Sequence, residues 1–339
     1  MLSQLANTIE QLDLAAEHLA LGDANNARFA LMLCDNIAEL TLHQYAKDKR
    51  NELKAFSWRN EAFKHEKALE KALSRYFNEK VKFANLIGKL SENVSESIRI
   101  GHLFRNDVYH VGLQHEAVLP AVAAFYFGLT CQLCADYEVN SWGYDPSQPI
   151  PERTKKYFRD HRHFMNFPKE YQETCLALKS KSGHNNRQFA EALADQMDAV
   201  VEQQDEYIDY IGENAPHRQT RDQVVVSCQS WPLAFNEEGR RFASKNGFPG
   251  GNPFALVDWL GKNYPLKYRG DPVPAWRQRA KRLRGQSDPH KALKMYRSFM
   301  DNTAELRESI NESTGAVDQY IDEQIERARV ERAFAKERE

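Results

Sequence analysis

The hexapeptide Arg105-Asn106-Asp107-Val108-Tyr109-His110 places four residues between an arginine and a histidine. Arginine is a permanent planar cation whose forked donors match phosphate oxygens. Histidine has an unperturbed pKa of about 6.5, so near neutral pH it can accept or give a proton. Those two groups are enough to cleave RNA without a metal. The 2′-hydroxyl loses its proton and attacks the adjacent phosphorus in line, and the departing 5′-oxygen gains a proton. His110 can serve either transfer. Arg105 can hold the non-bridging oxygens while charge builds on them. Asn106 can orient the imidazole or the scissile phosphate. The expected products are a 2′,3′-cyclic phosphate and a 5′-hydroxyl. No metal or cofactor is called for.

Two neighbours are expected on the substrate side. His102 lies one turn before Arg105 and can line the same face, and Tyr109 can cover the guanidinium. Both also fit plain packing roles, as does His115. The spacing sets a geometric condition. Residues five apart on an ideal helix are separated by about 140° around its axis. Arg105 and His110 therefore do not share one face of a straight helix, whereas Asn106 and His110 do. Either the helix breaks before Gly112, or the working site joins residues of two subunits. The competing reading is a solvated cap and salt-bridge arrangement, with His110 packed against Tyr109 or Leu113.

The elements that must position these residues are helical. Leu2, Leu5, Ile9, Leu12, Ala16 and Leu19 recur at alternating spacings of three and four, giving one apolar stripe. Gly22-Asp23 ends that helix and starts another, along which Ala27, Ala30, Leu31, Cys34, Ile37, Ala38 and Tyr45 continue the stripe. A connection this short implies antiparallel neighbours in a bundle. Helix is also expected over 68–77 and 81–90, with a break near Asn78. Ser91 is a plausible N-cap for the helix that carries Arg105, and Gly112 its stop. A very apolar helix spans 116–137, with Pro120 in its first turn.

An all-α bundle of this length, with R-N-x3-H just before its last, very apolar helix, resembles the HEPN superfamily (higher eukaryotes and prokaryotes nucleotide-binding domains). Its signature is R-x4-6-H, usually with a polar residue after the arginine, and Arg105, Asn106 and His110 match it position by position. The resemblance covers about residues 1–140. It implies a four- or five-helix bundle that dimerises, with two copies of the motif meeting at the interface. It also implies a metal-independent endoribonuclease of the toxin–antitoxin, abortive-infection or RNA-targeting CRISPR type.

Beyond residue 140 the composition changes. Trp142, Gly143, Pro146, Pro149 and Pro151 signal a linker, which sets the expected domains at 1–140 and 141–339. The second is also mostly helical. Phe189, Leu193, Met197, Val200, Val201 and Ile208 define an amphipathic helix over 188–210. Val224-Val225-Val226 and the loop from Gly247 to Pro253 leave room for a short hairpin within 221–261. From His290 onward one or two long helices are expected, fraying over 326–339.

The remaining signals are quieter. Cys131 and Cys134 lie in an apolar helix with no partner pair for zinc and read as buried small hydrophobes. His161-Arg162-His163 has poor spacing for a metal and reads as surface polar, or RNA-facing. The Gly247–Pro253 loop lacks the residues of a phosphate loop. The segment Trp276-Arg277-Gln278-Arg279-Ala280-Lys281-Arg282-Leu283-Arg284 is a local excess of basic charge with an aromatic at its head, continued by Lys291, Lys294 and Arg297. Arg277, Arg279, Lys281, Arg282 and Arg284 are thus candidate contacts to the phosphates of tRNA or another structured RNA. The alternative is a solvated face neutralised by nearby acids.

The whole chain carries 46 basic and 48 acidic residues, so no global field recruits a polyanion and any nucleic-acid surface is local. The sequence starts without the basic region of a signal peptide, has no apolar run of membrane length, and has an odd cysteine count. Those features point to a cytoplasmic protein with reduced thiols. Two functions fit. One is an endoribonuclease, a dimeric growth-arrest or antiviral-defence effector acting on RNA, with an antitoxin or sensor protein as a further partner. The other is a non-catalytic bundle that binds RNA, nucleotide or a partner protein.

Overall fold

The computed structural model describes residues 2–56, 62–110, 116–139, 150–158 and 166–336, with the side chains of 108–110 and 334–336 outside that description. About 80% of the chain is helical and the described residues contain no strand, so the fold is all-α. The chain divides into two compact units. The first is 1–193 with 284–295, and the second is 194–283 with 296–339.

In the first unit, α1 (Leu2–Leu21) and α2 (Ala24–Ala55) form a helical hairpin. Gly22 adopts φ +76° at the turn, where a side chain would be strained. The Asp23 side chain then caps α2 by accepting from the Asn26 amide at 3.0 Å. Helices α3 (Glu66–Ala72), α4 (Phe77–Leu86), α5 (Glu92–His110) and α6 (Leu119–Ala135) follow. Helix α6 is apolar almost all round and runs through the core, burying Phe125, Tyr126 and Phe127. Ser91 caps α5 through the Val94 amide, and Pro120 sits in the first turn of α6. The break after α3 falls at 73–76 rather than near Asn78, because Ser74 bonds the Lys71 carbonyl and accepts from the Tyr76 amide, turning the chain there.

The first unit does not end at the proline-rich stretch near residue 140. A 3-10 turn (Glu152–Tyr157) and α7 (Phe167–Ser180) still belong to it. The reason is burial. Phe158, Phe167, Tyr171, Cys175 and Leu178 are all within 1% of complete burial, and the 3-10 turn is pinned to α1 by Arg153, Lys156 and Tyr157 on Asp13. Residues 140–149, which include Pro146 and Pro149, lie outside the described residues.

The second unit comprises most of α8 (Asn186–Asn214), α9 (Arg221–Phe235), α10 (Glu237–Lys245), α11 (Pro253–Asn263), α12 (Val273–Arg284) and most of α13 (Pro289–Lys336). The expected hairpin is absent. Thr220 and Gln223 form a reciprocal capping box that starts α9, and Val224, Val225 and Cys228 bury one helical face, so local capping and tertiary burial override strand propensity. Arg221 ties α9 to Asp205, Asp209 and Asp271. Helix α13 runs unbroken to Lys336 through the charged tail expected to fray.

Candidate functional site

Helix α2 carries an aspartate on its apolar face. Asp35 sits between Leu31 and Ala38 in helical register and is fully buried. Three side chains converge on it. His102 Nδ1 lies 3.1 and 3.0 Å from its two oxygens. The Tyr126 hydroxyl, on α6, donates at 3.0 Å. Arg105 Nε lies 3.3 Å from Oδ2. A carboxylate only accepts, so Nδ1 of His102 carries a proton, and in the neutral ring the lone pair is then on Nε2. The His102 ring is stacked on Phe77 of α4, with centroids 3.9 Å apart and planes 6° apart. Burial, then the Asp35 charge, pushes the Tyr126 phenol well above its ordinary pKa, so it stays a donor.

This cluster depends on a close helix approach. A Cβ on Gly101 would meet the Tyr126 ring at 2.5–2.9 Å. With no side chain at 101, α5 closes on α6, and its next residues reach the carboxylate on α2.

Arg105 is fixed but not consumed. Its Nη1 donates to Asn106 Oδ1 at 2.9 Å, so Asn106 orients the guanidinium. Among the described residues Nη2 makes no hydrogen bond, and the side chain is 36% exposed. A planar cation held at its inner edge and open at its outer edge suits a phosphate. Arg105 lines neither of two clefts formed by the described residues. These clefts, of about 800 and 460 Å³, are lined by residues such as Tyr45, Phe63 and Tyr137 in one and Gln229, Tyr264 and Glu305 in the other.

The motif is thus split. Helix α5 is unbroken from Arg105 through His110, so no break falls between them, while a break just before Gly112 would fall outside the described residues. On an ideal helix the two positions are separated by about 140° around the axis. The residue that shares Arg105's face is His102, three positions earlier. The side chains of Tyr109 and His110 lie outside the described residues, as do Gly112, His115 and the His161–His163 triplet.

The basic segment is α12. Trp276 is not an exposed platform: it is 2% exposed, edge-on to Tyr268 and Phe299. Arg277 pairs with Asp205, and Arg279 lies over the Phe299 ring at 5.1 Å. Lys294 pairs with Glu96 and Arg297 with Asp301. Lys281 and Arg282 are exposed and form no ion pair among the described residues; Arg284 is exposed but engaged. Much of the basic run is therefore neutralised. Cys131 and Cys134 are buried and free.

Asp35, Tyr126 and Phe77 were not singled out from the sequence. The available signal was Asp35 itself, a charge on an apolar helix face, which is almost never fully buried without a partner. No family model, curated protein or solved structure matches the chain.

Proposed function

We propose that the protein is a metal-independent endoribonuclease of the HEPN type, cutting RNA to 2′,3′-cyclic phosphate and 5′-hydroxyl ends. One observation carries this reading: Arg105 is anchored by the fully buried Asp35 while its outer donors face solvent beside Asn106. That is a preorganised phosphate clamp. His110 supplies proton transfer. Since α5 does not break between Arg105 and His110, the two meet at one phosphate only if two chains pair, so the working form is a homodimer. A toxin or anti-phage role in the cytoplasm, with an antitoxin or sensor partner, fits an enzyme of this class.

The test is incubation of the purified protein with total tRNA and mRNA in excess EDTA, with fragment ends mapped. Cleavage by wild type and its loss in His110→Ala and Arg105→Ala supports the enzyme. Intact RNA under all conditions, with a monomer in sedimentation, sinks it. The unbroken helix also favours a second reading, a non-catalytic bundle that binds RNA, nucleotide or a partner protein, for which Arg105→Ala weakens binding and no fragments appear.

A further inference from the structure

Cleavage by a 2′-hydroxyl moves two protons, one off O2′ and one onto O5′. The motif supplies one histidine, at a position about 140° around the α5 axis from that of the arginine. The face that Arg105 occupies already holds another imidazole. We propose that His102 and Arg105 form one phosphate site in which Nε2 of His102 is the proton-transfer group, the base that takes the 2′-hydroxyl proton. This rests on the ribonuclease reading for its chemistry, but the site itself does not.

Four observations converge. Asp35 is completely buried and binds both His102 and Arg105, so the imidazole and guanidinium are fixed to one carboxylate. The hydrogen bond from Nδ1 sets the tautomer and leaves Nε2 as the basic atom of the neutral ring, since both hydrogen bonds that His102 makes to Asp35 run through Nδ1. This is how a carboxylate orients a catalytic imidazole. The stack on Phe77 fixes the ring plane. The His102 side chain is 18% exposed, reachable from solvent at one edge.

The groups facing His102 are few. From α2 they are Asp35 and, one turn on, Glu39; from α4, Phe77 and then Lys80; from α6, Tyr126; from α5 itself, Arg105. Glu39 and Lys80 form their own pair at 2.6 Å, and Asp35 is balanced by Arg105.

The step balances as follows. The O2′–H proton passes to Nε2 of His102 as O2′ bonds to phosphorus. The P–O5′ bond breaks, and the departing oxygen takes a proton from the His110 imidazolium of a second copy. Arg105 holds the non-bridging oxygens throughout. Asp35 is a positioning residue, acting through His102.

Two measurements test this. His102→Asn keeps a donor for Asp35 and removes Nε2. In the cleavage assay it is expected to lose about 100-fold or more in kcat and the limb of the pH–rate profile that rises with pH. His110→Gln is expected to remove the opposite limb. Asp35→Asn is expected to lower kcat with little change in KM and to displace the rising limb. Wild-type cleavage by His102→Asn overturns the proposal. The second measurement needs no turnover and no variant of His102: imidazole NMR of the wild type titrated with inorganic phosphate. His102 resonances are expected to shift, and not to shift in Arg105→Ala. No shift at His102 in the wild type overturns the site. A shift without any RNA cleavage sinks the ribonuclease reading and leaves the phosphate site standing.

Discussion

Asp35 is the residue on which the site turns. It converts two ordinary surface residues, His102 and Arg105, into fixed groups. Replacing it with alanine frees Arg105 and His102 to solvent but strands the buried Tyr126 hydroxyl. A buried unsatisfied donor costs about 1–3 kcal/mol, so Asp35→Ala is expected to lower the unfolding free energy measured in urea by that amount. Asp35→Ala combined with Tyr126→Phe should recover part of the loss, since the stranded group is then gone. Equal loss in the double variant would show that the hydroxyl is not the cause. At Arg105, lysine keeps the charge but not the fork, and it lacks the Nε donor that meets Asp35 while other donors reach out. Arg105→Lys is therefore expected to cleave RNA at least about 10-fold more slowly than wild type with unchanged melting. Wild-type rates in that variant would mean that only charge matters there.

Between elements, the closest constraint is α5 against α6 at Gly101. Gly101→Ala puts a methyl group 2.5–2.9 Å from the Tyr126 ring. The ring is fully buried and cannot swing away, so the helices must part. Overpacking of this kind costs about 1–3 kcal/mol, against the stabilisation that alanine gives at an ordinary helical position. Chemical denaturation decides the sign: a destabilised Gly101→Ala supports the close contact, and a stabilised one refutes it. The variant should also lose activity, since Tyr126, His102 and Arg105 share one carboxylate. In the second unit the comparable constraint is Arg221, which holds three aspartates from α8 and the segment before α12. Arg221→Ala leaves those carboxylates facing one another.

For the whole molecule, acid is the expected weakness. Burial holds His43, His184 and His290 of the first unit below the ordinary value of 6.5. Each is folded as the neutral base, while the unfolded chain binds the proton more readily. Their stabilising contribution is complete above about 6.5 and is lost as pH falls through the depressed folded values. Asp13 adds to this at lower pH. Burial alone would raise it, but hydrogen bonds from Lys156, Tyr157 and Arg153 outweigh that and hold it below 3.8. Thermal midpoints are expected to fall between pH 7.5 and pH 5, and a flat profile would contradict the burial of these imidazoles. Salt dependence probes the other unit. Of the basic run, Lys281 and Arg282 remain exposed and unpaired among the described residues. If α12 contacts RNA, Lys281→Ala with Arg282→Ala should lower the salt slope of binding by about 2, roughly one per cation. An unchanged slope would assign α12 to the solvated face.

The helices were legible because apolar spacing is a local property. The stripe from Leu2 to Leu19, the Asp23 and Ser91 caps and Pro120 at the start of α6 each follow from residues within a turn or two of one another. The Arg105–His110 spacing was legible in the same way, and so was its awkward angle. The valine run at 224–226 misled because three residues of strand propensity carry less weight than a capping box and a buried helical face. The proline-rich stretch misled because composition marks a loop but not which core its flanks enter. The anchor of Arg105, Asp35, was beyond reach of the sequence for a similar reason. Asp35, Phe77, His102 and Tyr126 lie on four helices, and only the packing that Gly101 permits brings them to one carboxylate. The sequence by itself determined the helices and the residue types available for chemistry. Tertiary structure decided which carboxylate holds the arginine and His102, because partners across helices are set by contact distances that no local pattern encodes.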